Sequence, residues 1–303
     1  MSQLTAGVPR QAMPGGEAAG RSASPWRQAA ETFVQNKAAT AGLVVIVAMA
    51  IFSFLGPLFY HTNQVTTNLP ASLQAPGAAH PLGTDGEGYD ELGRLMLGGQ
   101  TSLEVGLAAA VVATAIGVGY GALSGFAGGL LDGIMMRAVD ALLAIPTLFL
   151  LIYLFVVFKA SVPLMILVIG LVAWLVPARL VRAETLSLRT RDYVQAVRAA
   201  GGSRQRMILR HIVPNSIGTI MVNATFQVAD AILALASLSF LGLGIPPPAA
   251  NWGQMLSSGL TYIYAGDWWL IYPPGIAIVL TVMAFNSVGD SLRDSFDTRL
   301  RRR

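Results

Sequence analysis

Cysteine is missing from the chain altogether, which excludes disulfides and thiolate metal sites. Lysine occurs only as Lys37 and Lys159, and neither follows a glycine-rich turn. No G-x-x-x-x-G-K-[ST] phosphate loop is present, so the chain has no ATP site of that kind. The histidines His61, His80 and His211 are widely separated. With no H-E-x-x-H, no Cys/His cluster and no G-x-S-x-G, no catalytic residue and no metal ligand is assigned, and each histidine reads as a satisfied or solvent-facing side chain. Charge is scarce too. Asp, Glu, Lys and Arg make up 12% of the chain, against about 25% in soluble domains. The net charge of +4 is too small to point to nucleic acid. In place of charge the sequence is 54% hydrophobic and contains 32 glycines, the balance of an all-α integral membrane protein. If such a chain drives uphill transport, the energy comes from a partner or from an ion gradient.

Residues 1–24, rich in Gly, Ala, Ser and Pro, read as a disordered tail, and no apolar core of a secretory signal follows them. Residues 25–38 place Trp26, Ala30, Phe33 and Lys37 at helical spacing behind Pro25, predicting a short interfacial helix on the bilayer. Six apolar segments follow, at about 41–59, 103–125, 139–158, 162–178, 216–243 and 271–289. Each is near or above the length of roughly 20 residues needed to cross about 30 Å of hydrocarbon. Lys and Arg then divide unevenly between alternate loops. Eighteen of the 20 fall in the N-terminal segment, the 126–138 and 179–215 loops and the C-terminal tail, leaving Arg94 and Lys159 on the other side. The positive-inside rule therefore predicts six spans with both termini cytoplasmic. The corresponding division of the chain is a first span with its outer loop at 39–102, a core at 103–290 and a basic cytoplasmic tail at 291–303. Of the outer loops, the one at 60–102 carries Asp85, Glu87, Asp90 and Glu91, and the one at 244–270 is rich in Pro, Trp and Tyr.

Three features stand out. Gly117, Gly121, Gly125 and Gly129 recur every fourth residue and predict a small-residue groove for helix packing. Asn223, Gln227, Asp230 and Ser237 keep to one sector of the fifth span; they either line a translocation path or hydrogen-bond between helices. The stretch DYVQAVRAAGGSRQRMILRHIVPN at 192–215 predicts a cytoplasmic elbow of two short helices. Tyr193, Val197 and Ala200 lie along one side of the first helix. Gly201 and Gly202 end it, Ser203 caps the second, and Met207, Ile208 and His211 or Ile212 line that one until Pro214 and Asn215 stop it and open the fifth span. The arginines of this elbow suit lipid headgroups, and the paired helices suit docking to a cytoplasmic partner.

The same residues carry a resemblance. Gln195, Ala196, Val197 and Gly201 fall on the positions of the cytoplasmic E-A-A-x-x-x-G loop of ABC importer permeases, and RHIVPN resembles the segment closing that loop in peptide permeases. His80-Pro81-Leu82-Gly83-Thr84-Asp85, Leu238-Ser239-Phe240-Leu241-Gly242-Leu243-Gly244, Asn251-Trp252-Gly253 and Gly289-Asp290-Ser291-Leu292-Arg293-Asp294 also match, in order, over most of the chain beyond about residue 28. Together they resemble the dipeptide/oligopeptide/nickel group, second permease type. Departures are Gln195 for the usual Glu, Val197 for the second Ala, Tyr89 for an Arg, and Leu235 at a frequently acidic position.

The resemblance implies an importer subunit, not an enzyme, in a bacterial or archaeal plasma membrane. It would pair with a second homologous permease. Two cytoplasmic ATPases holding the ATP and Mg would bind the elbow at 192–213, and an extracytoplasmic binding protein would deliver the substrate. Coupling would involve Tyr193, Gln195, Ala196, Val197, Ala200, Gly201, Gly202, Ser203, Arg206, His211 and Pro214. Short peptides lead as cargo, with nickel and other small solutes open. A stand-alone proton-coupled transporter using Asp230 is the alternative, although the two halves show no inverted repeat.

Overall fold

A computed structural model describes residues 33–301, so the predicted tail at 1–24 and most of the predicted interfacial helix lie outside the described residues. Where that helix was expected to end, Asn36 instead starts a new one. Its carboxamide accepts from the Ala38 N–H (3.0 Å) and begins α1 (Lys37–Phe59). The remaining long elements are α2 (Glu91–Ala127), α3 (Gly129–Leu143), α4 (Thr147–Val157), α5 (Val162–Ala173), α6 (Leu175–Leu188), α7 (Asp192–Ala199), α8 (Arg204–Met207), α9 (Ile217–Leu238), α10 (Trp252–Gly259) and α11 (Tyr272–Arg301). Among the described residues the fold is all-helical apart from one isolated bridge between Thr84 and Asp90.

Four helical stretches are long and apolar enough to cross a bilayer: Lys37–Phe59, Glu91–Ala127, Arg204–Leu243 and Trp268–Phe296. The segments at 139–158 and 162–178 are not single rods. Helices α3 and α4 meet at 78°, and α5 and α6 at 44°. Proline explains both breaks. Pro146 holds Ile145 away from helical geometry. Pro177 has no N–H for the carbonyl of Ala173, and its ring crowds that carbonyl. Counting each bent pair as one span gives up to six.

Helix α2 starts a dozen residues before the apolar run that predicted it, because Asp90 caps it by accepting from the Gly93 N–H at 2.8 Å. Its 37 residues extend about 55 Å at 1.5 Å rise, well beyond the hydrocarbon thickness, and α1, α5, α6 and α9 all pack on it. In α1 only 17% of the apolar window is buried, against 44% in α2, so α1 is peripheral. Its contact points are small residues. A Cβ on Gly42 would stand 2.8 Å from the Ala284 carbonyl of α11, and one on Gly99 of α2 would strike the Ser53 hydroxyl of α1.

The glycine series divides at the end of α2. Side chains at Gly117 and Gly121 would strike Pro177 and the Ala178 carbonyl of α6, and one on Gly125 would come within 2.8 Å of the Arg182 carbonyl. These three let the backbones of α2 and α6 touch. Gly129 does not belong with them: the chain turns at Gly128 and Gly129 with φ of +66° and +57°, and nothing lies within 4 Å of a Cβ at Gly129. The period of four runs past the helix end, and there the glycine serves a turn.

Candidate functional site: the elbow and its anchorage

The elbow forms much as its capping residues dictate. Helix α7 ends with Ala200, Gly201 takes φ of +77°, and the Gly202 N–H donates to the Val197 carbonyl at 2.9 Å. A left-handed residue followed by such a bond is the glycine-closed helix end. Ser203 caps α8, its hydroxyl accepting from the Arg206 N–H at 3.3 Å.

Two details differ from expectation. The apolar knob of α7 is Val194, not Tyr193. Val194 is buried with Met207, Ile208 and Ile212 against Ala122 and Phe126 of α2, Val181 of α6 and Ile220 of α9, with Val197 partly buried beside them. Tyr193, Gln195, Ala196, Ala200, Gly201, Ser203 and Arg206 form the outward surface; Gly202 and His211 are half-buried. Pro214 does not stop the second helix either. From 204 to 241 the chain stays helical, passing through a π turn at Ile208–Ile212 and a 3-10 turn at Val213–Ser216. The change of hydrogen-bond pattern makes Pro214's missing N–H tolerable. The Asn215 amide takes the His211 carbonyl (2.5 Å) and the Ser216 hydroxyl the Ile212 carbonyl (3.1 Å). The second helix of the elbow is thus continuous with α9.

Arginines lock the neighbourhood. Arg182 of α6 makes a two-pronged pair with Asp132 of α3 (2.6 and 2.7 Å), and the Ser124 hydroxyl of α2 donates to the same carboxylate at 2.5 Å. Arg189 donates to the Gly125 carbonyl at 2.8 Å, and the Gln195 amide donates to the Arg189 carbonyl at 2.8 Å. A cleft of roughly 320 Å³ lies between the end of α2 and α7, lined by Phe126, Arg189, Thr190, Val194, Gln195 and Arg198 among others. Arg189 and Arg198 were legible only as positive charge. In the fold both reach the end of α2, Arg189 at the Gly125 carbonyl and Arg198 6.0 Å from the Phe126 ring.

The polar residues of α9 separate into three settings. Gln227 is buried, and its amide donates at 2.7 Å to the Ala173 carbonyl, the group that Pro177 leaves without its helical donor. That bond accounts for Gln227 as the clasp of the α5–α6 bend. Asn223 is half-buried, with its carbonyl oxygen lacking a partner among the described residues. Asp230 and Ser237 face outward on a stripe with Leu233 and Phe240, and the Ser237 hydroxyl bonds back to the Leu233 carbonyl at 2.8 Å.

At the other end of α2 the remaining motifs knit the loops together. Asp90 accepts from the Tyr60 hydroxyl (2.9 Å) and pairs with His80 Nδ1 (2.8 Å). Burial, then the neighbouring Asp90 carboxylate, pushes the Tyr60 hydroxyl up to about 12. Trp269 donates to the Thr84 carbonyl at 3.3 Å. Trp252, fully buried, donates to the Leu95 carbonyl at 3.0 Å, and Asn251 caps α10 through the Gln254 N–H (3.0 Å). Gly242, at φ of +81°, closes the stretch that contains α9. These motif residues fix loop geometry.

A multi-pass helical bundle with an anchored elbow at one end and a knitted loop cap at the other defines the class, a polytopic membrane protein of the transport type. Comparison with known families narrows it. Residues 117–302 match the binding-protein-dependent transport system inner membrane component, and residues 24–76 match the N-terminal TM domain of oligopeptide transport permease C. The chain is 40% identical over 282 residues to the oligopeptide transport system permease protein OppC of Bacillus subtilis (strain 168), covering 93% of this chain and 92% of that one. It is 39% identical over 278 residues to OppC of Haemophilus influenzae, covering 91% and 89%. It is also 40% identical over 286 residues to a putative peptide permease protein of Brucella suis, covering 94% of each. The chain belongs to the family of binding-protein-dependent transport system inner membrane components, the permease subunits of ABC importers.

Proposed function

We propose that this chain is one of two permease subunits forming the translocation path of a bacterial ABC importer for peptides, with six spans and both termini in the cytoplasm. The observation that carries the reading is the elbow: an exposed polar surface on a buried apolar anchor, continuous with α9, in a chain without a phosphate loop. Two partner ATPases holding ATP and Mg dock on 192–213, and an extracytoplasmic binding protein hands peptide to the opposite end. Because α8 runs on into α9, closure of the ATPases moves α9 as a lever, with α7 carried on the turn at Gly201 and Gly202. The outward stripe of Asp230, Leu233 and Ser237 faces the second permease across the path. The names of the relatives support peptides as cargo.

The test is reconstitution in proteoliposomes with the partner permease, both ATPases and the binding protein. Peptide uptake that requires ATP supports the reading. Uptake by this chain alone, driven by a proton gradient and abolished by Asp230→Asn, would replace it with secondary transport.

A further inference from the structure

A second cavity lies at the far end of α2 from the elbow. Of roughly 180 Å³, it is smaller than the 300 Å³ or so at which small-molecule pockets begin, so it suits a single chemical group and not a whole peptide. Its wall contains Asp85, Glu87, Glu91 and Arg94 from the first loop and α2, with Gln254 and Tyr262 from the second.

The charges are unevenly engaged. Arg94 pairs with Asp85 at 3.3 Å, covers the Tyr89 ring at 4.3 Å and donates to the Pro248 carbonyl at 3.4 Å. Asp85 also accepts from the backbone N–H groups of Glu87 (3.0 Å) and Tyr89 (2.8 Å). Glu91 is different: only 2% exposed, it lines the cavity while no hydrogen bond or ion pair among the described residues engages its carboxylate. Gln254 belongs to the same wall, and its amide oxygen is buried without a donor among the described residues. Two unsatisfied acceptors, in a wall with three carboxylates and one guanidinium, call for a cation that donates N–H bonds. A divalent metal fits poorly, since it needs more oxygen ligands than one free carboxylate and one amide oxygen supply.

We propose that this cavity is a binding site for an alkylammonium group, held by Glu91 and Gln254. Glu91 supplies the counter-charge, Gln254 orients the group by accepting one of its N–H bonds, and the Arg94–Asp85 pair keeps Arg94 from filling the space. The inference stands on the cavity and does not depend on what the protein transports.

The test uses the full chain in nanodiscs and follows Tm during titration with n-butylammonium chloride, with n-butanol and sodium butyrate at matched ionic strength as controls. The expected result is a saturable rise with butylammonium alone, and an apparent affinity at least about tenfold weaker in Glu91→Gln, the effect of losing one charge-assisted bond. Gln254→Leu supplies an independent variant with the carboxylate intact and is expected to weaken the same response. Competition by N-acetyl-lysine amide, with glycinamide inert, identifies a lysine side chain of a docked protein as the natural group. The reverse identifies a peptide amino terminus. A Tm rise no larger than that from sodium chloride, or an undiminished rise in Glu91→Gln, overturns the proposal.

Discussion

Replacing Gln227 by leucine tests whether its place in the bundle is structural. The side chain is buried and its amide is 2.7 Å from the Ala173 carbonyl. Four residues beyond Ala173 stands Pro177, which has no N–H to give. Leucine keeps most of the volume but leaves a buried carbonyl without a donor, at a cost of about 1–3 kcal/mol. Interhelical hydrogen bonds in membrane proteins sit at the low end, about 0.6 and at most about 1.7 kcal/mol, so about 1 kcal/mol is expected. The decisive comparison is a double-mutant cycle with Pro177→Ala. Alanine restores an N–H to the Ala173 carbonyl and keeps the Cβ that packs beside Gly117. Gln227→Leu should therefore cost about 1 kcal/mol alone and close to nothing beside Pro177→Ala, a coupling that such cycles resolve. Reversible unfolding of purified protein in mixed detergent micelles gives the four free energies. Equal losses in both backgrounds would refute the assignment. A changed substrate profile at unchanged stability would return Gln227 to the path.

Three further outcomes are expected. Gly121→Leu should prevent stable folding, seen as loss of membrane-integrated protein, since its Cβ would strike the Ala178 carbonyl backbone, whereas Gly129→Leu, with open space around it, should accumulate as wild type does apart from the strain of positive φ. Asp132→Asn should lower stability by about 1–2 kcal/mol, between the scales for surface and buried pairs, since the Arg182 side chain is 32% exposed, and Arg182→Met in the same chain should recover much of it in a detergent melt. Gly201→Asp should leave the protein in the membrane yet abolish uptake, because Gly201 is exposed with nothing within 4 Å of a Cβ and Asp tolerates the left-handed conformation better than most residues; uptake equal to wild type at equal expression would contradict this.

The helical class was plain from composition, and the turn inside the elbow was legible because caps are local chemistry: Gly201, Gly202 and Ser203 do in the fold what their side chains dictate, whereas the stop expected at Pro214 did not form. Long-range packing was not legible. Pro146 and Pro177 stand in the sequence, but a hydropathy window averages over them, so the apolar runs carry no sign of the two bends. Asp90 was visible as an outer-loop acid, yet its capping of α2 placed the helix start twelve residues ahead of the apolar run. Periodicity grouped Gly129 with three packing glycines because it does not register where a helix stops. Val194, not Tyr193, anchors α7 because Phe126, Val181 and Ile220 come from three other elements, and no property of 192–200 announces them. For Gln227 the sequence left path lining and hydrogen bonding between helices open, and only the Ala173 carbonyl that Pro177 leaves without a helical donor decides for the second. The turn of the elbow was therefore legible and its anchorage was not.

The central claim is that the outward face of α7 and α8 is the contact for an ATPase. The absence of native cysteine makes a direct measurement simple. Ala200→Cys, exposed at the end of α7, is labelled with a photoactivatable maleimide in the assembled transporter and illuminated. The account predicts a cross-link to the ATPase subunit, and protection of that cysteine in intact cells from a membrane-impermeant maleimide. A cysteine freely labelled from outside the cell, or a cross-link that never includes an ATPase in a complex active for uptake, would contradict it.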